Sequence, residues 1–478
     1  MVFTTSMGMH EFDMIIVGTG SGNSIPGPEF DDWKIAIVEK GVFGGTCLNV
    51  GCIPSKMFIY AADLALQAGN TAKYGVDTSL DGVRWSDIRD RVFGRIDPIA
   101  AGGEQYRVGD ETPNITVFKG HGRFVSERVG EQRVIEVNGE QLTARTIVLA
   151  AGARGYVPPI PGIDPERDAP VVPYETSDTV MRLDELPGSM IVLGGGYIAS
   201  ELGHVFSAFG VDVTMVNRSN VLLRNEDDDI AQRFTEVMSS RMDVRLGTRH
   251  HAVRQLDDGR IEMTFRSVDD DETQTVVADT LLVATGRVPN ADQLEVAAAG
   301  IELDGHLVKV DAAGRTNVPG IWALGDLSNP HQLKHLANLE MRNVKHNILH
   351  PDDLRETEYD LTPHAVFGNP QIASVGLTER DARAQGLDVM VATKDYGATA
   401  YGWAMEDDTS FVKLVADRGT RKLLGAHLIG PQSSTLIQQL IQGMAFGQTV
   451  DEMAAGFMYI HPALTEVVEN ALLDFPSA

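Results

Sequence analysis

Short apolar runs that stop abruptly at glycine recur along the chain. Residues 14–17 are continuously apolar and end at Gly18-Thr19-Gly20-Ser21-Gly22-Asn23, and the mainly apolar run 34–38 ends at Glu39. Runs this short, without alternation, predict strands covered on both faces, as in a parallel sheet. The order returns near residue 190. A strand over 190–193 meets Gly194-Gly195-Gly196-Tyr197-Ile198-Ala199, a helix runs toward Phe209, Gly210 ends it, and a strand follows over 211–216. Strands over 141–151 and 280–286 close on Ala150-Ala151-Gly152 and Ala284-Thr285-Gly286, and one over 321–324 leads into Gly325-Asp326. After about residue 356 the texture changes: strands are predicted around Val366 and over 372–375, 411–415 and 423–429, with helices over 434–446 and 465–473.

Strand, glycine turn, helix, strand and terminal acid is the order that binds a dinucleotide. Gly18, Gly20 and Gly22 permit the turn and admit a pyrophosphate to the helix N-terminus, and Glu39 is placed for ribose hydroxyls. Asn23 stands where Gly or Ala ordinarily allows close helix–strand packing, and Pro26 and Pro28 predict a first helix cut short. In the second copy Gly194, Gly196 and Ala199 keep the rule. That copy is either a second nucleotide site or a relic of one. Its second strand ends without an acid, in Val216-Asn217-Arg218-Ser219-Asn220-Val221-Leu222-Leu223-Arg224. An acid there would repel a 2′-phosphate, so Arg218 and Arg224 favour NADPH, the alternative being two solvated surface arginines. The fold class expected is α/β: two dinucleotide-binding, Rossmann-like domains plus a C-terminal mixed α/β domain.

At ~150 residues per domain, the chain predicts about three domains. Pro158, Pro159 and Pro161 suggest a boundary near 155, and Pro289-Asn290 another near 288. Acidic residues number 67 against 40 basic, a net charge of −27, and no four basic residues are consecutive. A nucleic-acid partner is therefore not expected. No apolar stretch approaches ~18 residues, so no membrane span is expected. Residues 1–10 read as a loose leader without a secretory signal, which leaves the cytoplasm as the default. His331 and His335, like His346 and His350, are four apart, but no carboxylate completes a ligand set, and no metal is expected.

The densest chemical signal is Gly44-Gly45-Thr46-Cys47-Leu48-Asn49-Val50-Gly51-Cys52-Ile53-Pro54-Ser55-Lys56, which holds both cysteines of the chain. In a continuous helix, residues five apart have Cα atoms roughly 9 Å apart, too far for a disulfide. The turn between them must leave helix geometry; Gly51 permits that, and Pro54 then falls near the start of a regular helix. A thiolate there gains from helix N-terminal amides and from Lys56 one turn on. The pattern reads as a redox-active dithiol, with an inert core pair or a metal site lacking two further ligands as the alternatives.

These motifs resemble the flavoprotein disulfide reductases, the family of glutathione reductase and lipoamide dehydrogenase, over nearly the whole chain. The resemblance is carried by 44–56 and, in order, by 194–201, Ala284-Thr285-Gly286-Arg287-Val288-Pro289-Asn290, Ala323-Leu324-Gly325-Asp326 and His461-Pro462-Ala463-Leu464-Thr465-Glu466. It implies FAD in the first unit, with Thr46, Gly152 and Asp326 among its contacts, and NADPH in the second, with Gly286 and a gating Tyr197. It implies Cys52 as the flavin-side thiol, Cys47 as the thiol that attacks substrate, and Lys56 near the flavin, paired with Glu201. His461, oriented by Glu466, becomes the acid–base group, in a homodimer whose site is completed across subunits. The division implied is 1–155 for FAD and the cysteines, 156–287 for NADPH, 288–356 completing the FAD domain, and 357–478 for dimerisation. The stretches 18–24, 91–100 and 401–407 are similar to the branch acting on mycothiol disulfide, in which Asn at position 23 is normal. An NADH-linked lipoamide dehydrogenase and a reductase of the glutathione type are the alternatives. No C-terminal cysteines suggest a mercury-reducing or large thioredoxin reductase relative.

Overall fold

The computed structural model describes residues 8–476 apart from residue 270, and not the side chain of His250. The chain forms two compact units.

The first comprises residues 8–55, 87–156 and 287–358. Its centre is a seven-stranded sheet in which Ile115–Lys119, Ile35–Glu39, Met9–Val17, Glu140–Leu149 and Ile321–Ala323 run parallel. Gln132–Val137 and Gly122–Val129 extend it as an antiparallel hairpin. The unbroken apolar run is explained by two cores. Ile15 and Val17 pack into one cluster with Leu142 and Leu149, while Met14 and Ile16 pack into another with Phe30 and Val344. The first strand begins at Met9, earlier than the sequence predicts. His10, Glu11 and Asp13 mask it, yet residues 9–12 pair with 141–144. Of the expected loose leader, residues 1–7 lie outside the described residues.

The first glycine turn leads not to a long helix but to a single 3₁₀ turn, Ser21–Ser24, followed by another at Pro28–Phe30. The prolines shorten it as expected. Asn23 has its own partner: Arg107, near the end of the helix Trp85–Val108, donates from Nε to Asn23 Oδ1 at 2.9 Å and from Nη2 to Asn23 O at 2.6 Å. This closes the end of a turn too short to pack as a full helix would.

The second unit comprises residues 56–86, 157–286 and 359–476. It holds a parallel sheet in the order Asp243–Arg245, Asp212–Val216, Ser189–Leu193, Thr280–Val283, with the helix Tyr197–Ala208 after the second glycine turn. An antiparallel sheet of Thr248–Gln255, Ile261–Ser267 and Thr273–Ala278 accompanies it. The C-terminal part is a five-stranded antiparallel sheet, ordered His364–Val366, Ile372–Gly376, Leu423–Ile429, Phe411–Asp417, Val389–Asp395. Its helices Ser433–Ala445 and Thr465–Leu473 bury Leu436, Leu440, Val467, Val468 and Leu472 against Val412, Leu414 and Leu428. The architecture is the expected α/β.

Candidate active site

The cysteine segment breaks where the sequence requires. A short helix Gly45–Asn49 gives way at Val50 and Gly51 to the helix Cys52–Ala68. Gly44 and Gly45 are left-handed, with φ of +101° and +66°, and a Cβ at Gly51 would lie 2.9 Å from Thr46 O. Asn49 donates from Nδ2 to Phe43 O at 2.8 Å and to Gly45 O at 3.0 Å, which fastens the loop on itself. The break brings the reduced Cys47 and Cys52 into hydrogen-bonding contact, Cys47 half-buried and Cys52 exposed. The contact with Cys52 and burial push the Cys47 thiol well up, with Lys334 opposing. Two adjacent thiols cannot both ionise readily.

Lys334 is a site residue that motif reading missed. It stands at the start of the helix Lys334–Leu349, and its Nζ donates to Ser21 Oγ in the glycine turn at 2.8 Å. No motif or spacing rule in the sequence links it to the glycine turn. Lys56 is engaged elsewhere: its Nζ lies 2.6 Å from Glu201 Oε2 and 4.2 Å from the centre of the Phe367 ring.

The first turn and the cysteine segment meet backbone to backbone. A Cβ at Gly45 would fall 2.7 Å from Gly20 Cα, and one at Gly18 would fall 2.4 Å from Ala150 O. Thr19 donates from N and Oγ1 to Glu39 Oε2, at 2.9 and 2.6 Å, so the strand-end acid is tied to the turn it follows. Gly152 is left-handed, with open space where a Cβ would be. Asp326, in the turn Gly325–Leu327, lies 4.0 Å from Arg287 Nε; burial pushes its carboxyl up, against Arg287 and Lys334. A turn kept clear of side-chain carbon, with acids ending its parallel strands, fits the pyrophosphate and hydroxyls of FAD.

The second turn is more open. Gly194 has φ +137° and a Cβ there would lie 2.3 Å from Ala284 O, whereas Gly196 and Gly286 face open space. Gly196 precedes the helix Tyr197–Ala208 without any side-chain cap, which leaves its N-terminal amides for a phosphate. Tyr197, Arg218 and Arg224 are exposed, and among the described residues neither arginine has an ion-pair partner. These residues fit a second nucleotide.

In the C-terminal part, His461 Nδ1 donates to Glu466 Oε1 at 2.7 Å, and His461 is 73% exposed. That contact holds the Glu466 carboxyl below the usual range. His461 and Glu466 thus stand in the second unit, with Lys56, Glu201, Tyr197, Arg218, Arg224 and Gly286, while Thr46, both cysteines, Glu39, Gly152 and Asp326 stand in the first. Among the described residues no three His, Cys, Asp or Glu side chains are gathered for a metal, and no helix is long and apolar enough to cross a membrane.

Comparison with known proteins decides the family. Residues 11–350 match the pyridine nucleotide-disulphide oxidoreductases, and 362–472 match the dimerisation domain of that group. The chain belongs to the pyridine nucleotide-disulphide oxidoreductase family. Within this family it is 48% identical over 473 residues to mycothione reductase from Mycobacterium tuberculosis, covering 97% of this chain and 99% of that one. Dihydrolipoyl dehydrogenase from Halobacterium salinarum is 33% identical, with 96% and 95% covered. Among solved structures, the HOCl-induced flavoprotein disulfide reductase RclA from Escherichia coli superposes with a TM-score of 0.82 at 25% identity, covering 97% of this chain and all of that one. The chain is accordingly a pyridine nucleotide-disulphide oxidoreductase using FAD and NADPH.

Proposed function

We propose that this oxidoreductase reduces mycothiol disulfide with NADPH, through a dithiol–disulfide cycle of Cys47 and Cys52. The adjacency of the two thiols across the break at Gly51 is the observation that carries the mechanism. The near-full-length 48% identity to mycothione reductase, against 31% to a glutathione reductase, supports the substrate. The strand end without an acid, with Arg218 and Arg224 exposed, favours NADPH over NADH.

Gly18, Gly20, Gly22, Glu39, Thr46, Gly152 and Asp326 would hold FAD, which would supply the chemistry that links a hydride donor, NADPH, to a protein disulfide. The chain performs the rest. Cys47 gives its proton to His461 and attacks one sulfur of the substrate; an S–S bond forms to Cys47 as the substrate S–S bond breaks. His461, oriented by Glu466, gives a proton to the departing thiolate. Cys52 then attacks Cys47, restoring the protein disulfide and releasing the second thiol, so two electrons leave the protein for each disulfide reduced. Lys56 and Glu201 hold the helix that starts with Cys52, and Tyr197 covers the nicotinamide entrance.

We place His461 in the site of a second subunit. It is exposed within the region that matches the dimerisation domain, and Met458 and Ile460 beside it are 95% and 74% exposed, a surface suited to burial in a homodimer. The working division is FAD binding by 1–155 and 288–356, NADPH binding by 156–287 and dimerisation by 357–478. A free dithiol suits the reducing cytoplasm. The test is kcat/KM with NADPH for mycothiol disulfide, glutathione disulfide and lipoamide side by side. Mycothiol disulfide is expected to lead clearly; glutathione disulfide matching it overturns the substrate while leaving the dithiol cycle intact.

A further inference from the structure

The loop after the strand Asp212–Val216 carries Arg218 and Arg224 and ends in two buried acids, Glu226 and Asp227, that no step of the reaction uses. Its near end is fixed to the glycine turn. Leu223 N donates to Gly195 O at 2.7 Å, and Asn217 fills the space that a Cβ at Gly195 would need. Its far end is fixed to the C-terminal sheet. His364 Nε2 and Ser374 Oγ donate to the two oxygens of Glu226, each at 2.7 Å. Lys413 Nζ donates to Asp227 at 2.8 Å, to Asp229 at 2.6 Å and to Glu379 at 2.9 Å. His364, Ser374 and Lys413 come from three strands of that sheet. A buried carboxylate with both oxygens committed has little freedom to move.

We propose that Glu226, clamped by His364 and Ser374, is a positioning residue that sets Arg224 for the 2′-phosphate of NADPH, so that the C-terminal sheet tunes nucleotide choice. The inference rests on reading Arg218 and Arg224 as the phosphate-binding pair. One residue, Asn225, separates Arg224 from the clamp. Backbone fixed at 226 removes freedom that Arg224 would otherwise lose on binding, and so lowers the cost of the phosphate contact. The adenosine 5′-phosphate half of the ligand meets the glycine turn instead and does not depend on Arg224.

Calorimetric titration of the FAD-loaded protein with 2′,5′-ADP and with 5′-AMP separates these contributions. His364→Ala is expected to weaken 2′,5′-ADP roughly fivefold and to leave 5′-AMP within about twofold. His364→Gln, which keeps a donor, recovers much of the loss. Ser374→Ala removes one hydrogen bond from Glu226, shifts 2′,5′-ADP in the same sense by less, and keeps the test readable if His364→Ala does not fold. Arg218→Gln with Arg224→Gln is the control. If that double variant selectively weakens 2′,5′-ADP while the His364 and Ser374 variants move both ligands equally or neither, the clamp is overturned and the arginine reading stands. If the double variant leaves 2′,5′-ADP unchanged, the arginine reading falls and takes this inference with it.

Discussion

Lys56 Nζ sits 2.6 Å from Glu201 Oε2, and the other oxygen of Glu201 accepts Phe367 N at 2.9 Å. The pair ties the helix that begins at Cys52 to the helix behind the second glycine turn. Glu201 is nearly buried and Lys56 about a third exposed, so the pair is only partly screened. Glu201→Gln keeps the shape and removes the charge. It is expected to cost about 1–2 kcal/mol in thermal denaturation and to slow NADPH-dependent flavin reduction in stopped flow. An unchanged reduction rate would confine the pair to a structural role.

A Cβ at Gly45 would lie 2.7 Å from Gly20 Cα, backbone that has no flexible end to swing aside. Gly45→Ala, strained further by its left-handed φ of +66°, should therefore separate the cysteine segment from the first turn. The expected protein is folded but poor in flavin. The ratio of visible to ultraviolet absorbance after purification measures it, and a full complement of FAD would show that the two loops tolerate separation.

The assignment of Cys52 as the flavin-side thiol has a spectral consequence. Two-electron reduction should produce a long-wavelength charge-transfer band between the Cys52 thiolate and FAD, absent in Cys52→Ser. A band that survives this substitution would assign the flavin-side thiol to Cys47.

Burial pushes the Asp227 carboxyl up, but the Lys413 ammonium, His427 and the Glu379 backbone N–H together hold the group below its ordinary value. A carboxyl depressed on folding stabilises fully above its unfolded pKa, and that contribution disappears as pH falls through the folded value. Asp227→Asn should cost about 2 kcal/mol at pH 7, less than a fully broken buried pair because Lys413 keeps Asp229 and Glu379. The gap to the unmodified protein should narrow below about pH 4. Urea denaturation across that range tests it, and a gap independent of pH would mean that the charge is not what Asp227 contributes.

Structure is legible in the chain where composition and covalent geometry act locally. The helix Thr465–Leu473 and the strand Leu423–Ile429 follow the apolar pattern residue for residue, and the break at Gly51 follows from the spacing of two cysteines. Local pattern failed where distant partners decide. Met9–Asp13 is strand because residues 141–144 pair with it, despite its polar side chains. The helix Trp85–Val108 runs through Gly94, Pro98, Gly102 and Gly103, residues that oppose helix on their own. Lys334 reaches Ser21 across 313 positions, and no spacing rule links them.

The central claim is that Cys47 takes mycothiol from its disulfide. Cys52→Ser cannot resolve the mixed disulfide, so offering this variant equimolar mycothiol disulfide and glutathione disulfide, then weighing the cysteine peptide, records the choice at the reacting sulfur. The account predicts a mycothiol adduct on Cys47 as the dominant species. A glutathione adduct of equal or greater abundance, or no adduct on Cys47, would contradict it.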